Sequence, residues 1–366
     1  MRDPGAVTTG RARDGRHRPA ARLPAALAAC AVAAVLAVLP ASPALGWGDR
    51  GHVLITEEAV DRLPEPLRGL LAGGDRLERL RQAATAPDKR AKRDTRLYDP
   101  AERSKHFLDI DAVTDEPPPF ATFPHDRAEA EKRFGAETFA KEGSVPWAAA
   151  GALDALADAL THGRTDDIFA SAGNLAHYAA DLHMPFHLTK NYNGQLTGNL
   201  GVHTALEVGL ISRYLDAFYR PEIRKGRYDV PLVENTGDRL FVWLAEAYVR
   251  IKPILEADTA ARQKTGYNPA DHKEDLDDLA SARAKPYYEA LKQELEARGS
   301  PEAQALRDAA GHLAELLYTA WVRAGKPVAL APPPPQPAAE SFSQVWMVLL
   351  VAAMLLLILW PRRPAR

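Results

Sequence analysis

The chain has almost no cysteine: one residue in 366, Cys30. A disulfide framework, a thiolate metal site and thiol catalysis all need more sulfur, or better-placed sulfur, than that. The chain also lacks a glycine-rich phosphate cradle, a Gly-x-Ser-x-Gly nucleophile turn and any internal repeat. No stretch alternates convincingly enough for a set of strands. Excess positive charge is missing too, and a net charge of −2 argues against a broad basic face for duplex nucleic acid. It leaves room for a small cationic site. With 46% hydrophobic residues there is material for one large core or two modest ones.

The two ends differ from the middle. Residues 1–46 read as an export signal: a basic segment with Arg11, Arg13, Arg16, Arg18 and Arg22, an apolar run from Leu23 to Leu39, and the small-x-small site Ala44-Leu45-Gly46. Cleavage there makes Trp47 the first mature residue. Leu27-Ala-Ala-Cys30 resembles a lipoprotein box, but the apolar run continues well past Cys30, whereas a lipobox closes it. At the other end 327–340 is a Pro-rich, stiff linker containing Pro332-Pro-Pro-Pro335. From Ser341 to Trp360 no residue is charged, and twenty helical residues span roughly 30 Å, one bilayer core. Trp346 and Trp360 fall near its interfaces and Arg362, Arg363 and Arg366 follow, so 341–360 is expected as a transmembrane anchor. The tail 361–366 then lies in the cytoplasm, and the domain 47–326 on the extracytoplasmic side.

Between the ends the pattern is helical. Val53–Leu63, two short stretches in 65–84, a charged stretch 126–141, an Ala-rich Ala148–Leu160 expected to be buried on most sides, Ile168–His183, Val202–Ala217, 237–257, 272–298 and 302–324 all carry apolar residues at helical spacing. Asp88 falls in an expected loop, and 104–111 alternates like an extended segment. The fold class is all-α, one bundle-like domain of about 280 residues.

His177 with Asp181, and His203 with Glu207, stand at i, i+4, which puts two donor side chains on one helical face. Imidazole and carboxylate together suit zinc at roughly 2.0 to 2.2 Å. Pro185 stops the first helix, so that His187 can turn back as a further donor. A single such pair is ordinarily a surface pair; two pairs and a fifth donor in one short stretch point to metal. Trp47 and His52 taken alone read as a core tryptophan and a helix-start histidine. A mature amino terminus at Trp47 would nevertheless bring an amine and a carbonyl that can chelate a cation, with His52 in reach. Asp88 could be a turn residue, and His106 a half-buried residue of an extended segment.

Taken together, Trp47 with His52, Asp88, His106, His-x-x-x-Asp-x-x-x-Pro-x-His at 177–187 and His-x-x-x-Glu at 203–207 resemble the zinc-dependent phospholipase C and single-strand nuclease superfamily, whose fungal members are the S-one and P-one nucleases. The resemblance covers Trp47 to about Leu210. It implies three zinc ions: one held by Asp88, His106, His177 and Asp181; a second by His187, His203 and Glu207; a third by the Trp47 amine and carbonyl, His52 and the other oxygen of Asp181. It also implies phosphodiester hydrolysis by a metal-activated water, with Asp88 as general base. The Trp47-to-His52 offset is nuclease-like. Glu207 is phospholipase-like, since the fungal nucleases carry Asp there. Ala91 stands where the nuclease pattern has Arg, and the fungal cysteines are missing. With the expected anchor, these features favour cleavage of phospholipid head groups. A single-strand-specific endonuclease is the alternative, and a membrane-displayed, zinc-stabilised binding module without turnover the second. His125, His162, His183, His272 and His312 match no ligand position, although His183 could support a ligand from behind.

Overall fold

A computed structural model describes residues 47–226, 228–276 and 278–330. The expected export signal, most of the linker, the anchor and the tail lie outside the described residues. Among the described residues no helix is long and apolar enough to cross a membrane.

The fold is all-α. In chain order the helices are α1 (Gly48–Arg62), α2 (Leu67–Ala72), α3 (Arg76–Ala84), α4 (Ala86–Ala91), α5 (Ile110–Val113), α6 (Arg127–Phe134), α7 (Ala136–Glu142), α8 (Val145–Thr161) and α9 (Thr165–Leu182). A rod over 202–223, α10, alternates α-helical Val202–Thr204, Ile211–Tyr214 and Arg220–Ile223 with π-helical turns Ala205–Leu210 and Leu215–Tyr219. Then follow α11 (Thr236–Tyr248), α12 (Ile251–Thr265), α13 (Lys285–Ala297) and α14 (Pro301–Arg323). The only extended pairing among the described residues is one isolated bridge between Leu108 and Gly143.

Helix α9 is the axis: α8, α3, α14, α1 and α11 all pack on it. From Leu175 to Leu182 every residue of α9 is buried. Gly173 permits the approach of α3, because a Cβ there would stand 2.4 Å from that of Ala83. That contact sets the end of α3 against the donor-bearing turn of α9.

Several expected segments differ in detail. Helix α8 is not buried on most sides; Gly151, Asp154, Ala155 and Asp158 face solvent, so it is an outer-layer helix with one apolar face. The 126–141 stretch is two helices, broken where Gly135 takes φ 90°. The 237–257 stretch divides into α11 and α12, with Pro253 in the first turn of the second, where its missing N–H costs nothing. Of 272–298 only Lys285–Ala297 is a regular helix, again with Pro near its start.

Candidate metal centre

The acid and histidine donors come from six separate places and meet at the buried end of α9. His52 sits in the first turns of α1. Asp88 is not in a loop: it lies on α4, which Pro87 opens. His106 is not extended; it closes a 3-10 turn over Arg103–Lys105 at φ −88°, ψ −14°. His177 and Asp181 lie on α9, His187 on the 3-10 turn Pro185–His187, and His203 and Glu207 at the start of α10. His52, Asp88, His106, His177, Asp181, His187 and Glu207 are all buried.

Their distances outline coordination polyhedra. His106 Nδ1 and His177 Nε2 are 3.0 Å apart, and they stand 3.1 Å and 3.2 Å from Asp181 Oδ2. Asp88 Oδ1 is 3.6 Å from each of the two nitrogens. Four ligands at zinc distances in a tetrahedron stand about 3.3 Å from one another. Five of the six edges of this set fall around that value. A second group joins His203 Nε2 to Glu207 Oε1 at 2.8 Å and His187 Nε2 to the same oxygen at 3.4 Å. The remaining oxygen, Asp181 Oδ1, faces His52 Nε2 at 3.4 Å and His187 Nδ1 at 3.5 Å. Asp181 thus offers its two oxygens to different neighbours. His52 also stacks on His177, with centroids 4.0 Å apart. Three groups could hold a metal ion, the first two sharing His177: His52 with Asp88 and His177, His106 with His177 and Asp181, and His187 with His203 and Glu207.

The hydrogen bonding shows which way these groups point. His177 Nδ1 donates to the Ala84 carbonyl at 2.8 Å, which aims Nε2 inward at the other donors. Both nitrogens of His52, Asp88 Oδ1, Asp181 Oδ1, His187 Nδ1 and Glu207 Oε2 are buried without a hydrogen-bond partner. Polar atoms left so cost stability unless something positive lies between them. In the protein alone that charge is supplied by protons. Burial pushes the Asp88 and Glu207 carboxyls up to about 8 each. Burial works against a charged His177, yet Asp181 and Asp88 outweigh it and carry that imidazole up to about 9. Burial likewise opposes the Asp181 carboxylate, and His177 and His187 nonetheless hold it well below its usual range. Burial lowers His52 and His106, and brings His203 down to about 4, so these rings are neutral donors. Neutral imidazoles at His52, His106 and His203, with displaceable protons on His177, Asp88 and Glu207, fit a divalent cation.

Trp47 enters through its side chain. It is fully buried, and its indole N–H donates to the Ala180 carbonyl at 2.7 Å, beside Asp181. Trp47, Asp88 and Glu207 together line a depression of about 290 Å³, with Arg50 and Lys92 also on its wall.

One contributor was missed from sequence. Glu102, buried, stands 3.7 Å from His106 Nε2, on the side of the ring away from the donors. Arg90 grips it with two bonds of 3.1 Å and 3.2 Å, Lys105 adds one of 3.2 Å, and the Tyr178 hydroxyl donates to it. Its i, i+4 offset from His106 was the available signal, hidden because the segment reads as extended. His183 does not touch the donors; it pairs with His312 at 2.7 Å. His125 bonds Asp238 and His162 bonds the Asp158 carbonyl, both away from the centre.

No protein-family model matches the chain, and no curated protein matches it.

Proposed function

We propose that the chain is a zinc-dependent phosphodiester hydrolase of the phospholipase C and single-strand nuclease type, acting on phospholipid head groups. The observation that carries this reading is the near-tetrahedral set of His106, His177, Asp181 and Asp88, with the second oxygen of Asp181 turned to His52 and His187. A structural zinc site closes on four protein ligands, whereas this one shares its donors among adjoining groups and opens on a depression. Zinc bound here supplies positive charge for the phosphate and lowers the pKa of a water to near neutrality.

The residues divide the remaining work. Asp88, which lines the depression, accepts the proton of the attacking water through its second oxygen, Oδ1 being turned to His106 and His177. Arg50 and Lys92 meet the phosphate's charge from the wall. The depression presents no exposed aromatic ring among its lining residues on which a nucleobase would stack, which favours a head group over single-stranded nucleic acid. The indole anchor of Trp47 fixes the start of the domain at the rim. Signal cleavage that frees its amine would then complete a third ion site, and any residue left in front of Trp47 would remove one ion, because an amide nitrogen is a poor ligand. In this reading the chain is exported and held at the membrane by 341–360.

The test is a side-by-side rate measurement on a soluble chromogenic phosphodiester, phosphatidylcholine vesicles and single-stranded DNA and RNA, with and without zinc. Zinc-dependent turnover with lipid fastest is expected. Oligonucleotides cut far faster than lipid would establish the nuclease alternative, and no turnover at any metal loading would leave the binding module.

A further inference from the structure

Among the acid and histidine donors only Glu207 lies in a π-helical turn, Ala205–Leu210 of α10. Such turns are rare and recur at functional sites. In this one the Ile211 amide reaches back five residues to the Leu206 carbonyl. From it Glu207, buried, presents one oxygen to two imidazoles, His203 Nε2 at 2.8 Å and His187 Nε2 at 3.4 Å.

Tyr288 of α13 stands against this turn. Its ring is fully buried, and a Cβ on Gly209 would lie 2.1 Å from its hydroxyl oxygen and 2.5 Å from Cζ. The phenol tip therefore rests on bare backbone two residues past Glu207, where only glycine leaves room. The hydroxyl is buried without a hydrogen-bond partner. A ring placed for its polar tip would not leave that tip unsatisfied, since the omission costs stability. The ring is there for its bulk.

Arg213 completes the arrangement. Its guanidinium lies over the Tyr288 ring, 3.9 Å from the centroid, and Nη1 donates to the Gly209 carbonyl at 2.9 Å. Nη2 donates to the carbonyls of Asp275 and Asp278, both at 2.7 Å. The neighbours of those two residues, Leu276 and Leu279, lie on the wall of the depression, as do Glu207 and Val208 of the turn. One planar fork thus gathers three main-chain carbonyls from two segments of that wall, which a lysine could not copy.

We infer that Tyr288 and Arg213 are positioning residues for Glu207. The ring props the turn open at Gly209, the guanidinium holds the Gly209 carbonyl, and together they fix the carboxylate where it faces His187 and His203 at once. Without them the turn would tighten to ordinary helical bonding, which carries Glu207 round the helix axis and away from one of the two imidazoles. The inference rests on the metal reading of the centre and not on turnover of a phosphodiester.

The experiment measures zinc and cobalt binding by the full chain and three variants. Tyr288→Ala removes the prop, Arg213→Met the grip on the carbonyl, and Tyr288→Phe only the unpartnered hydroxyl. In competition with a chelator, Tyr288→Ala and Arg213→Met should lose roughly 10–100-fold in affinity for one equivalent of zinc and bind the remaining equivalents as before. The visible spectrum of the cobalt-loaded protein should change for that equivalent alone. Tyr288→Phe should bind all its metal normally and keep or raise the Tm, because it removes an unsatisfied polar atom. If Tyr288→Ala does not fold, Arg213→Met decides the matter, since Arg213 is only half-buried. Normal affinity and an unchanged cobalt spectrum in the variants that fold overturn the inference whatever their Tm, and so does a loss shared equally by every equivalent, the mark of general destabilisation. Loss of the same equivalent in Tyr288→Phe overturns it as well, because the hydroxyl and not the bulk would then matter. Failure of the metal reading shows differently: the unaltered protein would take up no zinc, and both would fall. Zinc binding without hydrolysis of any phosphodiester sinks the enzyme and leaves the positioning to stand on the measured affinities.

Discussion

Helix α9 and its C-cap hold two buried histidines, His177 and His183, and their surroundings differ in how Nε2 is met. Each gives Nδ1 to a main-chain carbonyl, His177 to Ala84 at 2.8 Å and His183 to Ala179 at 2.6 Å. Beyond Nε2 they part. His183 meets His312 Nδ1 at 2.7 Å, and His312 in turn stacks on Trp243 with centroids 4.0 Å apart. Burial holds His183 down at about 4, and burial together with His183 holds His312 below its ordinary range, so both rings are neutral. One N–H then donates to the other ring's lone pair, and the pair is closed. His177 Nε2 instead faces three donors at once, His106 Nδ1, Asp181 Oδ2 and Asp88 Oδ1. Such a convergence needs positive charge among its members, from protons or from a metal ion, and burial or residue type alone does not distinguish the two cases.

The sharpest way to break this comparison is at Asp181, whose two oxygens face separate donors. Asp181→Asn replaces an oxygen with an NH₂ that cannot ligate, and should remove more than one ion. Metal content by elemental analysis should fall by two or more equivalents, and phosphodiester turnover should fall by about a thousandfold or beyond. Loss of a single equivalent would mean that the carboxylate serves one ion only. Chelation of the unaltered protein should lower its Tm markedly, because a site absent from the unfolded chain adds its binding energy to folding.

Next in size is Glu102, whose charge lies 3.7 Å from His106 Nε2, beyond hydrogen-bond reach, whereas the Ala84 carbonyl bonds His177 directly. Glu102→Gln keeps the shape but removes the charge that steadies the imidazole. Metal affinity, measured by competition with a chelator, should drop roughly 10–100-fold. Glu102→Asp should recover part of it. If both variants lose the same Tm with the metal present or absent and bind metal normally, Glu102 serves only to hold Arg90, Lys105 and Tyr178.

How much of this was open to sequence reading follows from where each partner lies. The helical class was legible because apolar spacing recurs along the domain, and the pairs of converging donors because i, i+4 places two side chains on one face. Asp88 was legible as a donor but its helix was not, since α4 has only six residues and little periodicity. Glu102 stayed hidden because the 3-10 turn before His106 breaks the alternation only once its structure is seen. The Ala84 carbonyl leaves no trace in sequence, as a main-chain acceptor belongs to every residue. The π-helical turns after Thr204 were also invisible, since His203 and Glu207 keep an ordinary helical offset across the boundary. Nor was the contact of Tyr288 with Gly209 legible, since only packing brings α13 onto α10.

The closed histidine pair should respond to mutation in the opposite way from the centre. His312→Phe preserves the ring stacked on Trp243 but leaves His183 Nε2 without its donor. The cost should be about 1–3 kcal/mol of stability, the usual penalty of a buried polar atom deprived of its partner. Metal content and turnover should be unchanged. A fall in metal content would place His183 behind Asp181 as a support of the centre, and the contrast drawn along α9 would fail.

The smallest effect tests whether an orphaned buried oxygen is by itself a sign of metal. Asp109 Oδ1 has no partner, as Asp88 Oδ1 has none, yet its charged neighbours are Asp111, Glu142 and Lys141 and no histidine. Without converging lone pairs on neutral donors, a proton is the simpler remedy, and burial with Asp111 and Glu142 pushes this carboxyl up to about 8. The folded value lies above the unfolded one of about 3.9, so the folded protein holds the extra proton between those limits. The stability tied to that proton is complete below about pH 4 and is lost as pH rises through about 8. Asp109→Asn keeps a neutral side chain at every pH. Its Tm should match that of the unaltered protein near pH 4 and exceed it by a few degrees at pH 9, with metal content the same throughout. A Tm difference that does not vary with pH would show that Asp109 is ionised in the fold and its oxygen satisfied. A lost metal equivalent would make it a ligand after all, and the distinction between a lone orphan and a convergent set would no longer separate the two kinds of site.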